Sequence, residues 1–362
     1  MWRRTELLDL IGIQHPIILA PMAGETNPTL LAAVSNAGGL GGLGCAKMSS
    51  AELITAAAEI RALTDKPFNF NFFAHPEAAG ESKLDEPCHQ LIASIYQQQQ
   101  LGMPPASTHA KDSAHRSFDD EQLAAVLEIK PRVVSFHFGL PSDDKLAALR
   151  DIGSLILCSA TTVDEAKHLA QRGVDAIIAQ GWEAGGHRGT FEVSSEDFGI
   201  GTMALVPQIV DAVDIPVIAT GGIADGRGIA ASFMLGASAV QIGSAFLSCP
   251  EAAVSPSYRA ALKSAKDTDT RLTRAFSGRP ARAKNNTYME IMAEQQPNAA
   301  PFPQMYQVSG PLMKNSHEKQ DGFAEFLLYG QAAGLNREMP AGELVEKLVD
   351  ETQRLLGNSR PN

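Results

Sequence analysis

The sequence predicts an α/β chain folded as a (β/α)8 TIM-type barrel, with a smaller inserted domain on the substrate side before the last helix. Three observations predict it: short apolar runs recur eight times, helix-start signals fall between them, and glycines gather just beyond the ends of the later runs. Apolar runs that alternate with helical patterns mark repeated βα units around a parallel sheet.

The candidate strands span 17–20, 40–43, 68–72, 133–137, 155–158, 176–179, 217–220 and 239–242. Helices are signalled between them by Asn27-Pro28, by the capping boxes Ser49 to Glu52 and Thr162 to Glu165, by Ser142-Asp143-Asp144, and by Asp225-Gly226-Arg227. A last helix over 343–356 puts Leu344, Leu348, Thr352, Leu355 and Leu356 on one face, with Pro340 before it and Gly357 after. A doubly wound open sheet is the alternative. It places a GxGxxG turn after its first strand, and Pro21-Met22-Ala23-Gly24-Glu25 is not one.

Two stretches break the rhythm. Residues 75–118, with Pro76, Pro87, the run Gln97 to Gln100 and Pro104-Pro105, read as a helix plus a long excursion after the third strand. Residues 250–338, rich in Pro, Asn and aromatic side chains, follow the eighth strand and read as an insertion covering the barrel mouth. The expected division is a barrel of residues 1–249 and 339–362 and an inserted cap of residues 250–338.

The 362 residues, 44% of them hydrophobic, suffice for a large core. A formal charge of −11 opposes a nucleic-acid footprint, which needs a basic face to release phosphate counterions. The four cysteines, Cys45, Cys88, Cys158 and Cys249, are widely spaced without a CxxC pair, so neither a disulfide framework nor a zinc site is indicated. Met1-Trp2-Arg3-Arg4 is followed by no apolar core of leader length, and no stretch approaches the roughly 20 apolar residues of a membrane span. The expectation is a cytoplasmic protein that takes a small ligand, with no nucleic-acid or membrane partner.

Barrels of this type carry their chemistry at the carboxyl ends of the strands. The first strand end offers Ala20 to Gly24, the third Asn69 and Asn71, the fourth His137-Phe138-Gly139, and the sixth Gln180 to Gly189. The seventh offers Thr220-Gly221-Gly222-Ile223 and the eighth Gln241-Ile242-Gly243-Ser244. Glycines beyond strands seven and eight suit a phosphate, because bare backbone N–H groups donate without a side chain in the way. His187, flanked by glycines, is the ionisable group best placed to meet a ligand. Plainer readings stand beside these: tight turns for the glycines, turn-satisfying amides for Asn71 and Gln180, a core histidine for His137, and an ion pair for Arg188. The remaining histidines show no metal-ligand spacing, and neither GxSxG nor GxxxxGK[ST] occurs, so no metal, serine triad or NTP turnover is expected.

Taken in order, several segments resemble the flavin-dependent nitronate monooxygenases. They are Pro16 to Gly24, Ser35 to Gly41, His137-Phe138-Gly139, Gln180-Gly181 with Glu183-Ala184-Gly185-Gly186-His187-Arg188-Gly189, and Ala219 to Gly228. The Glu-Ala-Gly-Gly-His-Arg-Gly form is similar to the class I enzymes. The resemblance implies a barrel that holds FMN non-covalently and oxidises alkyl nitronates, propionate 3-nitronate among them, with O2 to carbonyl compounds plus nitrite or nitrate. It implies FMN contacts from Met22, Asn71, Gln180, Gly185, Gly222, Gln241, Ile242, Gly243 and Ser244, the last group and Gly222 near the phosphate.

A nitronate is already anionic and electron-rich, so it can pass one electron to an oxidised flavin without first losing a proton, by way of an anionic flavin semiquinone. Such a site must stabilise negative charge with backbone N–H groups and a histidine. His187 is assigned to bind and polarise the nitronate, or to act as base toward a neutral nitroalkane, with His137 assisting at the oxygens. Tyr258, Tyr288 or Tyr306 would cap the flavin. The arginines Arg271, Arg274, Arg279 and Arg282 either attract an anionic substrate or tie the insertion to the barrel. The rival readings are an FMN-dependent NAD(P)H:quinone or enoyl reductase, and a non-catalytic FMN-binding module. The assembly expected is a monomer or a homodimer.

Overall fold

The structure, a computed structural model, describes residues 5–76, 80–109, 115–192 and 198–357. Residues 1–4, where a leader was sought, and residues 77–79 and 110–114 of the excursion lie outside the described residues.

Eight parallel strands form the main sheet: β1 (Ile17–Leu19), β2 (Gly41–Gly44), β3 (Phe68–Phe73), β4 (Val133–His137), β5 (Leu155–Ala160), β6 (Ala176–Gln180), β7 (Val217–Thr220) and β8 (Ala239–Ile242). Their order around the sheet is β1-β8-β7-β6-β5-β4-β3-β2, and the parallel bridge between Ile18 and Leu40 brings β1 back to the β2 edge. In chain order the strands lead to α1 (Pro28–Asn36), α2 (Ser50–Leu63), α3 (Asp120–Ile129), α4 (Asp143–Asp151), α5 (Val163–Gln171), α6 (Thr202–Val210), α7 (Gly226–Met234) and α8 (Ala341–Gly357). This is the (β/α)8 barrel that the sequence predicts.

The local reasons are those the caps suggest. Asn27 accepts from Leu30 N at 2.8 Å, and Ser49 and Glu52 form a reciprocal capping box. At α5 the box is incomplete: Thr162 accepts from Glu165 N, but Glu165 turns its carboxylate to Thr161 N at 2.6 Å and to Phe191 N at 2.9 Å. β5 runs two residues past its expected end, because Ser159 and Ala160 still pair with Ile178 and Ala179 of β6 although Ser159 breaks the apolar run.

Period-two alternation divides each strand between two environments. Outward residues such as Phe70, Val134, Ile177, Ala219 and Ile242 pack under the helices in the main core. Inward residues toward the amino ends, including Ile18, Leu157, Ile178, Ile218 and Ala239, pack with Leu7, Leu8 and Ile11 of a short helix, Glu6–Ile11. At the carboxyl ends the inward positions turn polar: Asn71, Ser135, Ser159, Gln180, Thr220 and Gln241. An apolar floor and a polar rim thus follow from one alternation.

A second hydrophobic cluster lies outside the barrel. It joins Cys88, Ile92, Ile95 and Tyr96 of the helix Glu86–Gln98, in the excursion, to Phe276, Tyr288, Met305, Val308 and Leu312. Tyr96 Oη donates to Val308 O at 2.6 Å across that contact. A three-stranded antiparallel sheet then ties this region to the barrel: Thr270–Thr273 pairs with Ala281–Lys284, which pairs with Gly186–His187. Among the described residues no helix is long and apolar enough to cross a membrane.

Candidate active site

The carboxyl ends of the strands open into a cavity of about 360 Å³. Met22, Asn71, Gln180, Gly185, Gly222, Gln241, Gly243 and Ser244 line it, as do His137 and His187. Ile242 does not, because it follows inward-facing Gln241 and so points outward into the main core. Tyr258 and Tyr306 line the cavity, whereas Tyr288 is sealed in the second cluster with its hydroxyl donating to Ala275 O at 3.0 Å.

Glycine serves two purposes here. Gly222 has φ +71, a left-handed conformation that leaves its main chain bare at the β7 end of the cavity. At Gly185 an added Cβ would lie 2.5 Å from both Gly330 N and Tyr329 C. That glycine is required by close approach of two protein segments, a reason the sequence does not display.

His187 sits on the two-residue strand Gly186–His187, in register with Ala281. Its Nε2 lies 2.9 Å from Ser277 Oγ, and Ser277 is fully buried. Rings of Phe73, Phe138, Phe302 and Phe326 stand edge-on around it at 5.7 to 6.4 Å between centroids. Gln180 braces the same segment: its Nε2 donates to His187 O at 3.0 Å, and its Oε1 accepts from Gly189 N at 2.7 Å. Arg188 is fully buried and donates to Gln180 O and Gly181 O, with its guanidinium 5.5 Å from the Trp182 ring.

His137 has a different set of contacts. Its Nε2 is 3.1 Å from His187 O and its Nδ1 is 2.6 Å from Ser159 Oγ. A carbonyl only accepts, so Nε2 carries the proton and Nδ1 accepts from the serine. Both ring nitrogens are spent on protein, which makes His137 a brace for the His187 main chain. The next residue, Phe138, holds φ +77, a strained conformation for a bulky residue, and its ring lies 3.9 Å from the Arg279 guanidinium.

Electrostatics favour an anion beside His187. Burial holds its ring well below the ordinary histidine range, and His115, His137, Arg279 and Lys47 push the same way. Burial also lowers His115 to about 3 and His137 to about 4, and draws Arg279 down to about 10. Lys47 and Glu25 both line the cavity, and burial disfavours the charged form of each while their mutual attraction opposes it. In a chain of net charge −11, the charges acting on His187 are thus Lys47 and Arg279.

His137 carries a pH signature. Its depressed value means that unfolding takes up a proton, so the stability it contributes is complete above pH 6.5 and is lost as pH falls toward 4. Replacing His137 with Gln is expected to flatten the urea-unfolding free energy against pH in that window by up to about 1.4 kcal/mol per unit. An unchanged slope would show that the ring is not held neutral.

The arginine-rich run 271–282 ties structure together. Arg279 Nη2 donates to Thr190 O and Phe191 O at 3.0 and 2.9 Å, and Arg282 donates to Trp182 O while lying 5.6 Å from its ring. Arg271 bonds only its neighbours' carbonyls at Thr268 and Thr270 among the hydrogen bonds of the described residues.

A family model described as nitronate monooxygenase matches residues 4–351 of the chain. The chain belongs to the nitronate monooxygenase family. The nitronate monooxygenase of Paraburkholderia phytofirmans is 43% identical over 362 residues, 99% of this chain and 97% of that one. A nitroalkane oxidase from Streptomyces ansochromogenes superposes with a TM-score of 0.87 at 38% identity, covering 98% of this chain and 100% of the other. FabK from Thermotoga maritima superposes at 0.75 with 31% identity, covering 99% and 98%. Family membership makes the chain an oxidoreductase.

Several cavity residues escape the sequence reading of this family member. Ser159 falls one residue beyond the expected end of β5, although inward Leu157 two positions earlier points to it. Lys47, Glu25 and His115 line the cavity from loops. Ser277 lies inside the arginine-rich run, but nothing local connects it to a histidine ninety residues earlier.

Proposed function

We propose that the protein binds FMN non-covalently in this cavity and oxidises small alkyl nitronates, of the propionate 3-nitronate type, with O2 to carbonyl compounds plus nitrite or nitrate. The reading rests on one juxtaposition: bare main chain at the β7 and β8 ends faces the same cavity as a half-buried histidine set among positive charges. The residues fit the cofactor. Gln241 Oε1 is buried without a hydrogen-bond partner, as an acceptor awaiting a ligand donor would be. Gly222, Gly243 and Ser244 offer main-chain N–H groups for a phosphate, and Met22, Asn71, Gln180 and Gly185 provide the remaining contacts.

Bound there, FMN supplies the electron acceptor for the electron-rich nitronate. The chain's own residues do the rest. His187 binds and polarises the nitronate, or takes the α-proton of a neutral nitroalkane, in which case the C–H electron pair becomes the C=N bond of the nitronate and the negative charge rests on the nitro oxygens. Lys47 and Arg279 favour the anion electrostatically. His137 and Gln180 hold the His187 carbonyl, so the ring keeps its station. Aromatic walls exclude water. Residues 1–249 and 339–362 serve as the cofactor barrel and residues 250–338 as the substrate-side domain, with the excursion packed against the latter.

Anaerobic titration of the purified yellow protein tests this. Propionate 3-nitronate is expected to change the flavin spectrum and NADH to leave it oxidised. Rapid bleaching by NADH would replace the proposal with the reductase reading, and a spectrum indifferent to the nitronate would reject it.

A further inference from the structure

We propose that Ser277 is a positioning residue that locks His187 as its Nε2–H tautomer, so that Nδ1 is the atom that meets the substrate. The inference deepens the proposed function and rests on the substrate-facing role of His187.

Hydrogen-bond capacity carries it. Ser277 Oγ has three neighbours: His187 Nε2 at 2.9 Å, Arg279 N at 3.2 Å and Arg279 O at 3.1 Å. A hydroxyl has one proton to give and two lone pairs to offer. Arg279 O can only accept, Arg279 is 1% exposed, and Ser277 is the one donor to that carbonyl among the hydrogen bonds of the described residues. The serine proton therefore goes to Arg279 O, since a buried carbonyl left unpaired is costly. Both lone pairs then accept, one from Arg279 N–H and the other from His187. His187 must carry its proton on Nε2, and a neutral ring has only one. Nδ1 keeps its lone pair and makes no hydrogen bond among the described residues, while the ring lines the cavity.

The surroundings leave no substitute for Ser277. The four phenylalanines around the ring shape its slot but cannot fix a tautomer. His137 reaches the His187 main chain, not its ring. The charged and titratable groups acting on the ring are His115, His137, Arg279 and Lys47, and none donates to or accepts from Nε2 among the hydrogen bonds of the described residues. A lone pair on Nδ1 repels an anion, so His187 holds a nitronate oxygen only after Nδ1 takes a proton. Toward a neutral nitroalkane the same lone pair is ready to accept one.

Nitrogen-15 NMR of the holoprotein labelled at histidine reads the tautomer directly, with the His187→Asn protein assigning the signals. The expected spectrum has a protonated Nε2 and a bare Nδ1 on His187; a protonated Nδ1 in the neutral ring overturns the proposal. Ser277→Ala is expected to retain the flavin, lower kcat on a neutral nitroalkane by about tenfold or more, and move the acid limb of kcat/KM to lower pH. The direction follows because the lost acceptor holds the imidazolium more tightly than the neutral ring. Ser277→Thr restores both. An Ala variant with unchanged tautomer and pH profile refutes the positioning role, and the wild-type spectrum decides the tautomer even if that variant fails to fold. Full turnover by His187→Asn would instead refute the substrate-facing role, an outcome the tautomer signal does not share.

Discussion

His187→Asn protein is expected to purify with its flavin and to lose turnover of a nitronate by about a hundredfold to ten-thousandfold. Asparagine fits the volume of the slot among the four phenylalanines, and the Gly186–His187 strand pairs with Ala281–Lys284 through main chain, which the change leaves intact. Most residues proposed to hold the cofactor lie on other strand ends, and Gln180, on the same one, meets His187 through its main-chain carbonyl, which the change keeps, so retention of colour and loss of rate should separate. What disappears is the cavity-lining ring proposed to bind and polarise the nitronate, a role His137 cannot take over because both of its nitrogens are bound to protein. Stopped-flow reduction by nitronate and steady-state O2 uptake measure the effect. Wild-type kinetics in a yellow Asn variant would remove His187 from the chemistry.

Arg279→Met protein is expected to be less stable by about 2–4 kcal/mol and to show a raised KM together with a lowered kcat. The guanidinium satisfies two buried carbonyls, Thr190 O and Phe191 O, and covers the ring of strained Phe138. Methionine matches the stem and removes a desolvated cation, which offsets part of the loss, but leaves both carbonyls unpaired. The damage spreads to the site because the guanidinium anchors the segment whose main chain orients Ser277, and because its positive charge acts on His187. Urea unfolding and steady-state kinetics check the two halves. A variant with lower stability and unaltered kinetics would confine Arg279 to scaffolding.

The barrel is legible in the sequence because each strand is short, apolar and outward-packed, and because caps such as Ser49 with Glu52 are local events. The glycine-flanked His187 and the β7 and β8 ends are legible for the same reason: each is one continuous segment. Contacts that close over long stretches of chain are not. Nothing in residues 86–98 says that Tyr96 will bond Val308, and nothing in 271–282 says that Ser277 will meet His187. His137 shows the limit most clearly. A histidine at a strand end suggests chemistry, and only the identity of its two partners turns it into a support.

The strand Gly186–His187 has a consequence for how a new chain becomes active. The eight barrel strands, and with them the glycine ends of β7 and β8, are made before Ser277 exists. His187 gains its partner strand and its hydroxyl only when residues 277–284 arrive, some ninety positions after it was synthesised. Such a long closure is slow relative to local βα pairing. A chain in which the 270–284 hairpin has not yet docked therefore leaves the proposed base without its strand partner and its hydroxyl.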